Sequence, residues 1–228
     1  MEGLVRRAEP RKTAQVTLVD QDLVLEAAVG TPLEVYIRAA KPFHIRPMDA
    51  PVLAAVVDGR LRELTIPVER DVRVQPVTMR SGDGMRIYRR SLVFLLVTAV
   101  RELFPDCNCK VVVEHALPNG GFYCRLMGRE PFSEAELAQV KARMLEIVAA
   151  DEPIGKVKVP LEKAKAYFRE RGDDDKLRLL ESRDKDYLVL YTLRGQKDYY
   201  YGYMVPSTGY LAVFGLYVSP PGFVLRYP

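Results

Sequence analysis

Residues 81–105 read SGDGMRIYRRSLVFLLVTAVRELFP, and this stretch divides the chain into two parts. Its first four residues, Ser81 to Gly84, disfavour both helix and strand, which predicts a domain boundary. Apolar residues then recur at spacings of three and four, which predicts a long helix that ends near Leu103. The recurring residues are Met85, Leu92, Leu95, Leu96, Ala99 and Leu103. We therefore expect one domain over residues 15–80 and a second over residues 81–228.

The pattern upstream of this boundary predicts a small sheet with one helix. VTLVD and LVLEAAV are two short strands around Gln21 and Asp22, and a short helix follows them. VLAAVVDGRLREL contains Asp58-Gly59, which is a strong hairpin signal, and a closing strand runs from Val72 to Thr78. This order predicts a β-grasp (ubiquitin-like) domain over residues 15–80. Residues 1–14 carry Arg6, Arg7, Arg11 and Lys12 without apolar periodicity, which indicates a flexible basic arm.

Downstream of the long helix, strands and helices alternate irregularly. KVVVEHAL and GFYCRLM flank a Gly-rich turn, and Ser133 with Glu136 forms a capping box at the start of a helix. A strand at Val157 to Val159 and two short helices come next. Three further strands are predicted, in YLVLYTL, in DYYYGYMV and near Leu211 to Val218. The sequence therefore predicts an α+β fold for the second domain.

Composition excludes several classes of protein. The chain has 228 residues, a formal charge of +4 and 48% hydrophobic residues, so disorder is excluded. The longest apolar run, Leu92 to Val97, is too short for a membrane span, and the first residues lack the apolar segment of a signal peptide. Three cysteines without a regular spacing favour free thiols in the reducing cytosol. We therefore expect a cytoplasmic protein with no membrane partner.

Most catalytic motifs are absent from the sequence. It contains neither GxxxxGK[ST] nor GxGxxG, and its histidines, His44 and His115, form no metal-binding or triad pattern. One candidate metal set is Cys107, Cys109, His115 and Cys124. The Cys-x-Cys spacing is shorter than structural zinc sites usually have, so inert core thiols are the competing interpretation. We expect no catalytic residue and no metal in this chain.

Two clusters of residues fit a binding function. Arg86, Arg89 and Arg90 lie three and four apart on the predicted helix, where they suit a phosphate or an RNA backbone. In the stretch 198–204, strand alternation places Tyr199, Tyr201 and Tyr203 on one face and Tyr200, Gly202 and Met204 on the other. One of these faces must be core, and the other suits stacking on a nucleobase, with Arg194 and Lys197 nearby. The alternative for the arginines is that they lie on an ordinary solvated helix face. The alternative for the tyrosines is that they are present because tyrosine favours β-strands.

Five stretches resemble the N-terminal half of threonyl-tRNA synthetases, which has a TGS domain followed by a second additional (editing) domain. They are VVDGRLREL, RRSLVFLLVTAVRELFP, NGGFYC, FSEAELAQVKARMLEIV and KDYYYGYMVPSTGY. The resemblance covers nearly the whole chain from Gln15. It implies a TGS domain of β-grasp fold over residues 15–80 and an editing-like domain over residues 81–228.

The resemblance also implies which residues have been replaced. The family's editing site has a zinc-type set, two histidines four apart on the helix and a cysteine and a histidine four apart on the strand. In this chain those positions hold Arg90, Phe94, Tyr200 and Met204, none of which is a good zinc ligand or general base. This pattern is similar to the N-terminal region of bacterial uridine-kinase-like nucleoside kinases. That family implies an ATP- and magnesium-dependent P-loop kinase domain after Pro228.

These observations leave three hypotheses. In the first, the chain is a non-catalytic ligand-binding or regulatory module of a nucleoside kinase. Its cleft would be lined by Arg90, Phe94, His115, Tyr123, Tyr200 and Met204, and Arg86, Arg89, Arg90 and Lys197 would contact phosphate or RNA. In the second, it is a stand-alone RNA-binding protein related to synthetase editing domains. In the third, it is a deacylase with His115 as the base beside Cys124 or Tyr123, but His115 has no orienting partner in the sequence.

Overall fold

The computed structural model describes residues 9–43, 50–181 and 183–228 and has an α+β fold. Contacts between Cα atoms divide the chain into two units, Met1–Arg86 and Ile87–Pro228. The division falls inside the long helix, shortly after the Gly-rich stretch 81–84. Arg6, Arg7 and His44 lie outside the described residues.

The described residues of the first unit form a five-stranded mixed sheet with one α-helix packed on it. The central strands β1 and β5 are parallel, and every other neighbouring pair is antiparallel, in the order β2-β1-β5-β3-β4. The helix buries Leu33, Tyr36, Ile37 and Ala40 against this sheet. The elements are β1 Thr13–Leu18, β2 Leu23–Ala28, α1 Leu33–Ala40, β3 Val52–Val57, β4 Arg60–Glu63 and β5 Val72–Thr78.

The structure confirms the predicted hairpin and shortens the predicted arm. Asp58 and Gly59 both have positive φ, 47° and 78°, as a two-residue turn between twisted strands requires. Strand β1 begins at Thr13, two residues before the predicted domain start at Gln15. Ala14 is fully buried in the core of the first unit, so the last residues of the predicted arm belong to the sheet.

The second unit contains most of the long helix and two sheets. One sheet has the order β11-β12-β7-β6, and the other has the order β10-β9-β8. The helices are α2 Gly82–Leu103, which begins in the first unit, α3 Glu134–Ala149, α4 Leu161–Glu170 and α5 Asp174–Glu181. The strands are β6 Lys110–Ala116, β7 Phe122–Met127, β8 Gly155–Pro160, β9 Tyr187–Leu193, β10 Gln196–Asp198, β11 Gly215–Ser219 and β12 Gly222–Arg226.

The capping box at the start of α3 is confirmed. Ser133 Oγ accepts a hydrogen bond from the backbone N–H of Glu136 at 3.2 Å. The Glu136 carboxylate accepts one in return from the backbone N–H of Ser133 at 2.9 Å. This reciprocal pair fixes the first turn of the helix, as the sequence motif predicts.

The prediction of a strand over DYYYGYMV, residues 198–205, is wrong. Strand β10 ends at Asp198, and residues 199–205 form an irregular loop. Two carbonyls of this loop accept hydrogen bonds from side chains rather than from a strand: Tyr191 Oη donates to Gly202 O at 2.8 Å, and the guanidinium of Arg90 donates to Tyr203 O. Gly202 has a φ of 107°, and a Cβ there would lie 2.7 Å from the Arg90 guanidinium. The loop therefore depends on glycine at this position.

The C-terminal prediction is also incomplete. The single strand expected near 211–218 is a 3-10 turn, Thr208–Leu211, followed by β11. The sequence did not predict strand β12, because Pro220-Pro221-Gly222 is typical of a loop and marks an end to the run of strand-forming residues. It pairs with both β11 and β7, so it lies inside the sheet.

The expectation of three free thiols is corrected. Cys107 and Cys109 are joined by a disulfide, because the turn after α2 places their Cα atoms 5.0 Å apart. Cys124 is a free thiol and is buried. Within the described residues, no helix combines the length and the apolar character that a membrane span requires.

Candidate functional site

The four positions that the resemblance assigned to the editing site lie together in the second unit. Phe94 on α2 and Tyr200 in the loop have ring centroids 5.4 Å apart. Arg90, one helical turn before Phe94, binds the loop through the carbonyl of Tyr203. Phe94 and Met204 are buried, whereas Arg90 and Tyr200 are half-buried. Two of the four side chains therefore fill the interior, and Tyr200 keeps part of its surface open.

A groove of about 390 Å³ lies beside Tyr200. Its apolar lining comes from α2, through Val93, Val97 and Val100, and from Val111 to Val113 of β6. Val93 and Val97 are half-buried although their neighbours on α2 are fully buried, because this face of the helix borders the groove. The groove therefore combines a flat apolar lining with one aromatic ring.

Charged side chains line the rest of the groove. They are Arg101, Lys110, Arg171, Asp173, Asp175, Lys176 and Asp198. Asp173 is only 2% exposed and lies 2.9 Å from Lys110 Nζ and 3.0 Å from Arg171 Nη2. Asp198 is 4% exposed and forms an ion pair with Lys176. Four cations face three carboxylates, so the groove has an excess of one positive charge when all are ionised.

A second hollow adjoins this groove. It has a volume of about 410 Å³ and shares Arg101, Cys109, Lys110, Arg171 and Asp173 with the groove. Phe104, Tyr167 and Gln196 contribute to its remaining lining. The same three cations therefore border both spaces, which makes the boundary between them the most basic part of the site.

Burial and charge shift the pKa values of three groups at the site. Burial, followed by the charge of Asp198, raises the pKa of Tyr200 well above its usual value, so the phenol stays protonated. Partial burial opposes ionisation of Lys110 and Asp175. Burial is the largest single effect, but their mutual hydrogen bond and charge attraction, with Asp173 adding to both at Lys110, together outweigh it, so the pKa of Lys110 is raised and that of Asp175 is lowered. The pair is ionised at neutral pH.

The predicted arginine cluster does not converge on one point. Arg86 forms an ion pair with Asp83 at 2.6 Å. Arg89 donates to Tyr227 Oη at 3.2 Å, and its guanidinium lies 4.8 Å from the centre of that ring. Arg90 binds the loop carbonyl described above. Each of these three arginines thus has its own structural contact within the protein.

The other predicted site residues lie apart from the groove lining. His115 is exposed on β6 and stacks on Tyr123 of β7, with ring centroids 5.3 Å apart. Neither is among the groove-lining residues. Lys197 is exposed, and its backbone carbonyl accepts hydrogen bonds from Tyr167 and Arg171. His115, Tyr123 and Lys197 therefore do not line the groove beside Tyr200.

The residues present do not fit a zinc site. Within the described part of the chain, no three His, Cys, Asp or Glu side chains are placed to hold a metal ion. In the candidate set, Cys107 and Cys109 are bonded to each other. Burial raises the pKa of the Cys124 thiol to about 12, so this thiol is protonated at neutral pH.

Sequence reasoning missed the charged part of the site. Asp173, Lys176 and Asp198 were not singled out, because charged residues at a helix start or beside a tyrosine run are common on surfaces. The one available signal is the run Asp173-Asp174-Asp175-Lys176, which begins α5. Only burial distinguishes Asp173 from the exposed Asp174 and Asp175 in that run.

Curated proteins similar to this chain are threonine–tRNA ligases. Those of Burkholderia lata and Symbiobacterium thermophilum are each 36% identical over 165 residues, which is 72% of this chain and 26% and 25% of the respective ligase. The ligase of Laribacter hongkongensis is 35% identical over the same share of the chain. The chain is homologous to part of these ligases. No family model matches it.

The homology confirms the resemblance to threonyl-tRNA synthetases and supports the editing-like second domain. The chain spans about a quarter of the length of these curated relatives. The relatives give no support to a nucleoside-kinase parent, so the ATP and magnesium expected with that parent gain no support either. The homology agrees better with the second hypothesis, in which the chain is related to synthetase editing domains, than with the kinase-module hypothesis.

Proposed function

We propose that this chain is a non-catalytic RNA-binding module related to the tRNA-binding ligases, and that its groove holds the terminal nucleotide of an RNA strand. The observation that carries the proposal is the groove beside Tyr200, in a chain homologous to threonine–tRNA ligases over 72% of its length. We also infer that the first unit is a TGS domain of β-grasp fold. Its strand order β2-β1-β5-β3-β4 with one packed helix supports this inference.

The lining of the groove fits a nucleotide. A base is flat and apolar on its faces, so it can lie between the valines of α2 and the half-buried ring of Tyr200. The attached phosphate would lie near Arg101, Lys110 and Arg171, which border both the groove and the second hollow. Arginine is well suited to phosphate because its planar group can donate two parallel hydrogen bonds.

The same geometry argues against hydrolysis of an aminoacyl ester. A general base must lie within hydrogen-bond reach of the water that it activates. At the replaced positions, Arg90 is a cation bound to a carbonyl, Phe94 and Met204 are buried, and the pKa of Tyr200 is raised. None of these groups accepts a proton at neutral pH. The module therefore binds its ligand without turning it over.

Fluorescence anisotropy with a short labelled RNA that ends in a 3′-terminal CCA tests this proposal. Tyr200→Leu keeps an apolar contact for Phe94 but removes the stacking ring, and we expect it to weaken binding by about tenfold. Tyr217→Leu is the matched control, because Tyr217 is 54% exposed on β11 and outside the groove. Absence of binding by the wild type, or equal binding by Tyr200→Leu, would contradict the proposal.

A further inference from the structure

Arg101 lies on α2 where the groove beside Tyr200 and the second hollow meet. It is half-buried, and it belongs to the lining of both spaces. Burial is the main influence on the pKa of Tyr200 in the groove and of Tyr167 in the hollow, and it raises both values. The charge of Arg101 opposes this rise at each ring. The guanidinium is therefore within electrostatic reach of one aromatic ring in each space.

Arg101 is also the cation that the ion-pair network leaves uncompensated. Among the residues that the structure describes, it forms no ion pair, and its guanidinium donates a hydrogen bond to Gln196 Oε1, an uncharged acceptor, at 3.3 Å. The other three cations of the groove are each paired: Lys110 with Asp173 and Asp175, Arg171 with Asp173 and Asp198, and Lys176 with Asp198 and Asp173. The excess positive charge of the groove therefore lies at Arg101.

The carboxylates outside this network do not neutralise Arg101. Glu102, its neighbour in sequence, accepts hydrogen bonds from Arg143 and Arg194 instead. Glu170 lines the second hollow, but it is exposed and forms no ion pair with Arg101 within the described part of the chain. A half-buried guanidinium without a carboxylate partner is well suited to a phosphate, because it can donate two parallel hydrogen bonds to phosphate oxygens.

The two spaces can hold two successive nucleotides. Their volumes, about 390 and 410 Å³, both fall in the range of about 300–1,000 Å³ that is typical of ligand pockets. The second hollow has aromatic walls from Phe104 and Tyr167, and the side-chain amide of Gln196 lies beside them. Because Gln196 Oε1 accepts from Arg101, the amide nitrogen can donate to the edge of a base. A phosphate that joins the two nucleotides would lie at the boundary, where Arg101 is.

We propose that Arg101 binds the phosphodiester between the last two nucleotides of an RNA strand, so that the site recognises a 3′-terminal dinucleotide. The proposal rests on the proposed function, to which it adds the second hollow and the residue that sets the position of the strand. Lys110 and Arg171 contribute less, because Asp173 already balances their charges. A purely structural Arg101 would tie α2 to β10 through Gln196. That role does not depend on the charge of a phosphate.

A neutral linkage in the RNA tests the contact. Three versions of a labelled RNA that ends in CCA carry an uncharged methylphosphonate at the last linkage, at a linkage well upstream, or nowhere. We expect wild-type protein to bind the first version about tenfold more weakly than the unmodified RNA, because a charge-assisted contact is lost. The slope of log affinity against log salt should also fall by about 0.7. The upstream neutral linkage should change affinity by less than about twofold.

Variants of Arg101 test the same contact from the side of the protein. We expect Arg101→Gln to bind unmodified RNA about tenfold more weakly and to be insensitive to the neutral last linkage, because the two changes remove one interaction. Arg101→Lys keeps the charge and should keep that sensitivity. Arg178→Gln is the matched control, since Arg178 is an exposed residue of α5 outside both linings, and it should behave as the wild type does. Melting temperatures establish that the variants remain folded.

The outcomes separate this proposal from the groove proposal. If Arg101→Gln and the neutral last linkage weaken binding additively, Arg101 does not contact this phosphate and the proposal is wrong. If the wild type binds all three RNAs equally while Tyr200→Leu binds them more weakly, the groove proposal stands and this one fails. If the wild type binds none of the RNAs, both proposals fail.

Discussion

The ring of Phe94 on α2 lies against the ring of Tyr200, with centroids 5.4 Å apart and ring planes inclined at 55°. These residues are 106 positions apart in the sequence, and only Tyr200 borders the groove. Phe94 lies in the interior and packs against the Tyr200 ring, which is the ring that the proposed ligand would contact. The editing-like position on the helix is a buried packing residue, and the position on the loop would contact the proposed ligand.

Replacing Phe94 should destabilise the second unit strongly. We expect Phe94→Ala to cost about 3–5 kcal/mol of unfolding free energy, because the side chain is fully buried. Tyr201→Ala is the control, since Tyr201 is 88% exposed and its loss should change stability by less than about 0.5 kcal/mol. Urea denaturation measures both. Equal stability of the two variants would show that Phe94 is not part of the core.

The buried ion-pair network predicts a contrast between two neighbouring aspartates. Asp173→Asn should cost about 3 kcal/mol, because it removes the charge of a 2% exposed carboxylate that lies near Lys110, Arg171 and Lys176. Asp175→Asn should cost less than about 1 kcal/mol, since that carboxylate is 57% exposed. Thermal and urea denaturation give both values. A larger loss at Asp175 would be inconsistent with the network as described.

Purified protein should contain no stoichiometric zinc and should not hydrolyse threonyl- or seryl-tRNA. Arg90, Phe94, Tyr200 and Met204 supply neither metal ligands nor a base with a suitable pKa. Elemental analysis and an acid-precipitation deacylation assay measure the two properties. One zinc per chain that disappears in Cys124→Ala would mean that the metal site was misplaced. A full-length threonine–tRNA ligase serves as the positive control for deacylation.

The buried thiol makes stability depend on alkaline pH. Burial raises the pKa of Cys124 from 9.0 to about 12, so the folded state holds this proton more tightly than the unfolded state does. The stabilisation is complete below pH 9 and is lost as the pH rises toward 12. Wild-type stability should therefore fall more steeply in this range than that of Cys124→Ala, by up to about 1.4 kcal/mol per pH unit.

Urea denaturation at a series of pH values measures this difference in slope. Because both proteins contain the same tyrosines and lysines, the titration of these groups cancels in the comparison. Cys124→Ser is a second reference, since its hydroxyl does not titrate in this range. Parallel curves for all three proteins would show that Cys124 does not ionise on unfolding.

The sequence by itself determined the elements whose cause is local. Asp58-Gly59 specifies its hairpin because both turn residues must adopt positive φ, and Ser133 with Glu136 specifies the start of α3 because each satisfies a backbone N–H of the other. The recurring apolar residues of 85–103 specify the long helix. The resemblance to threonyl-tRNA synthetases, rather than a local pattern, identified the replaced positions Arg90, Phe94, Tyr200 and Met204, and the structure places the rings of Phe94 and Tyr200 in contact.

Tertiary structure alone decided the loop and the charges around the groove. The alternation in DYYYGYMV predicts a strand, but the Arg90 guanidinium and the Tyr191 hydroxyl bind the carbonyls that a strand partner would have used. Asp173 and Asp198 resemble ordinary surface carboxylates in sequence. They become buried because the C-terminal end of α4, α5 and β6 bring Arg171, Lys176 and Lys110 around them. Such long-range pairing leaves no periodic pattern in the sequence.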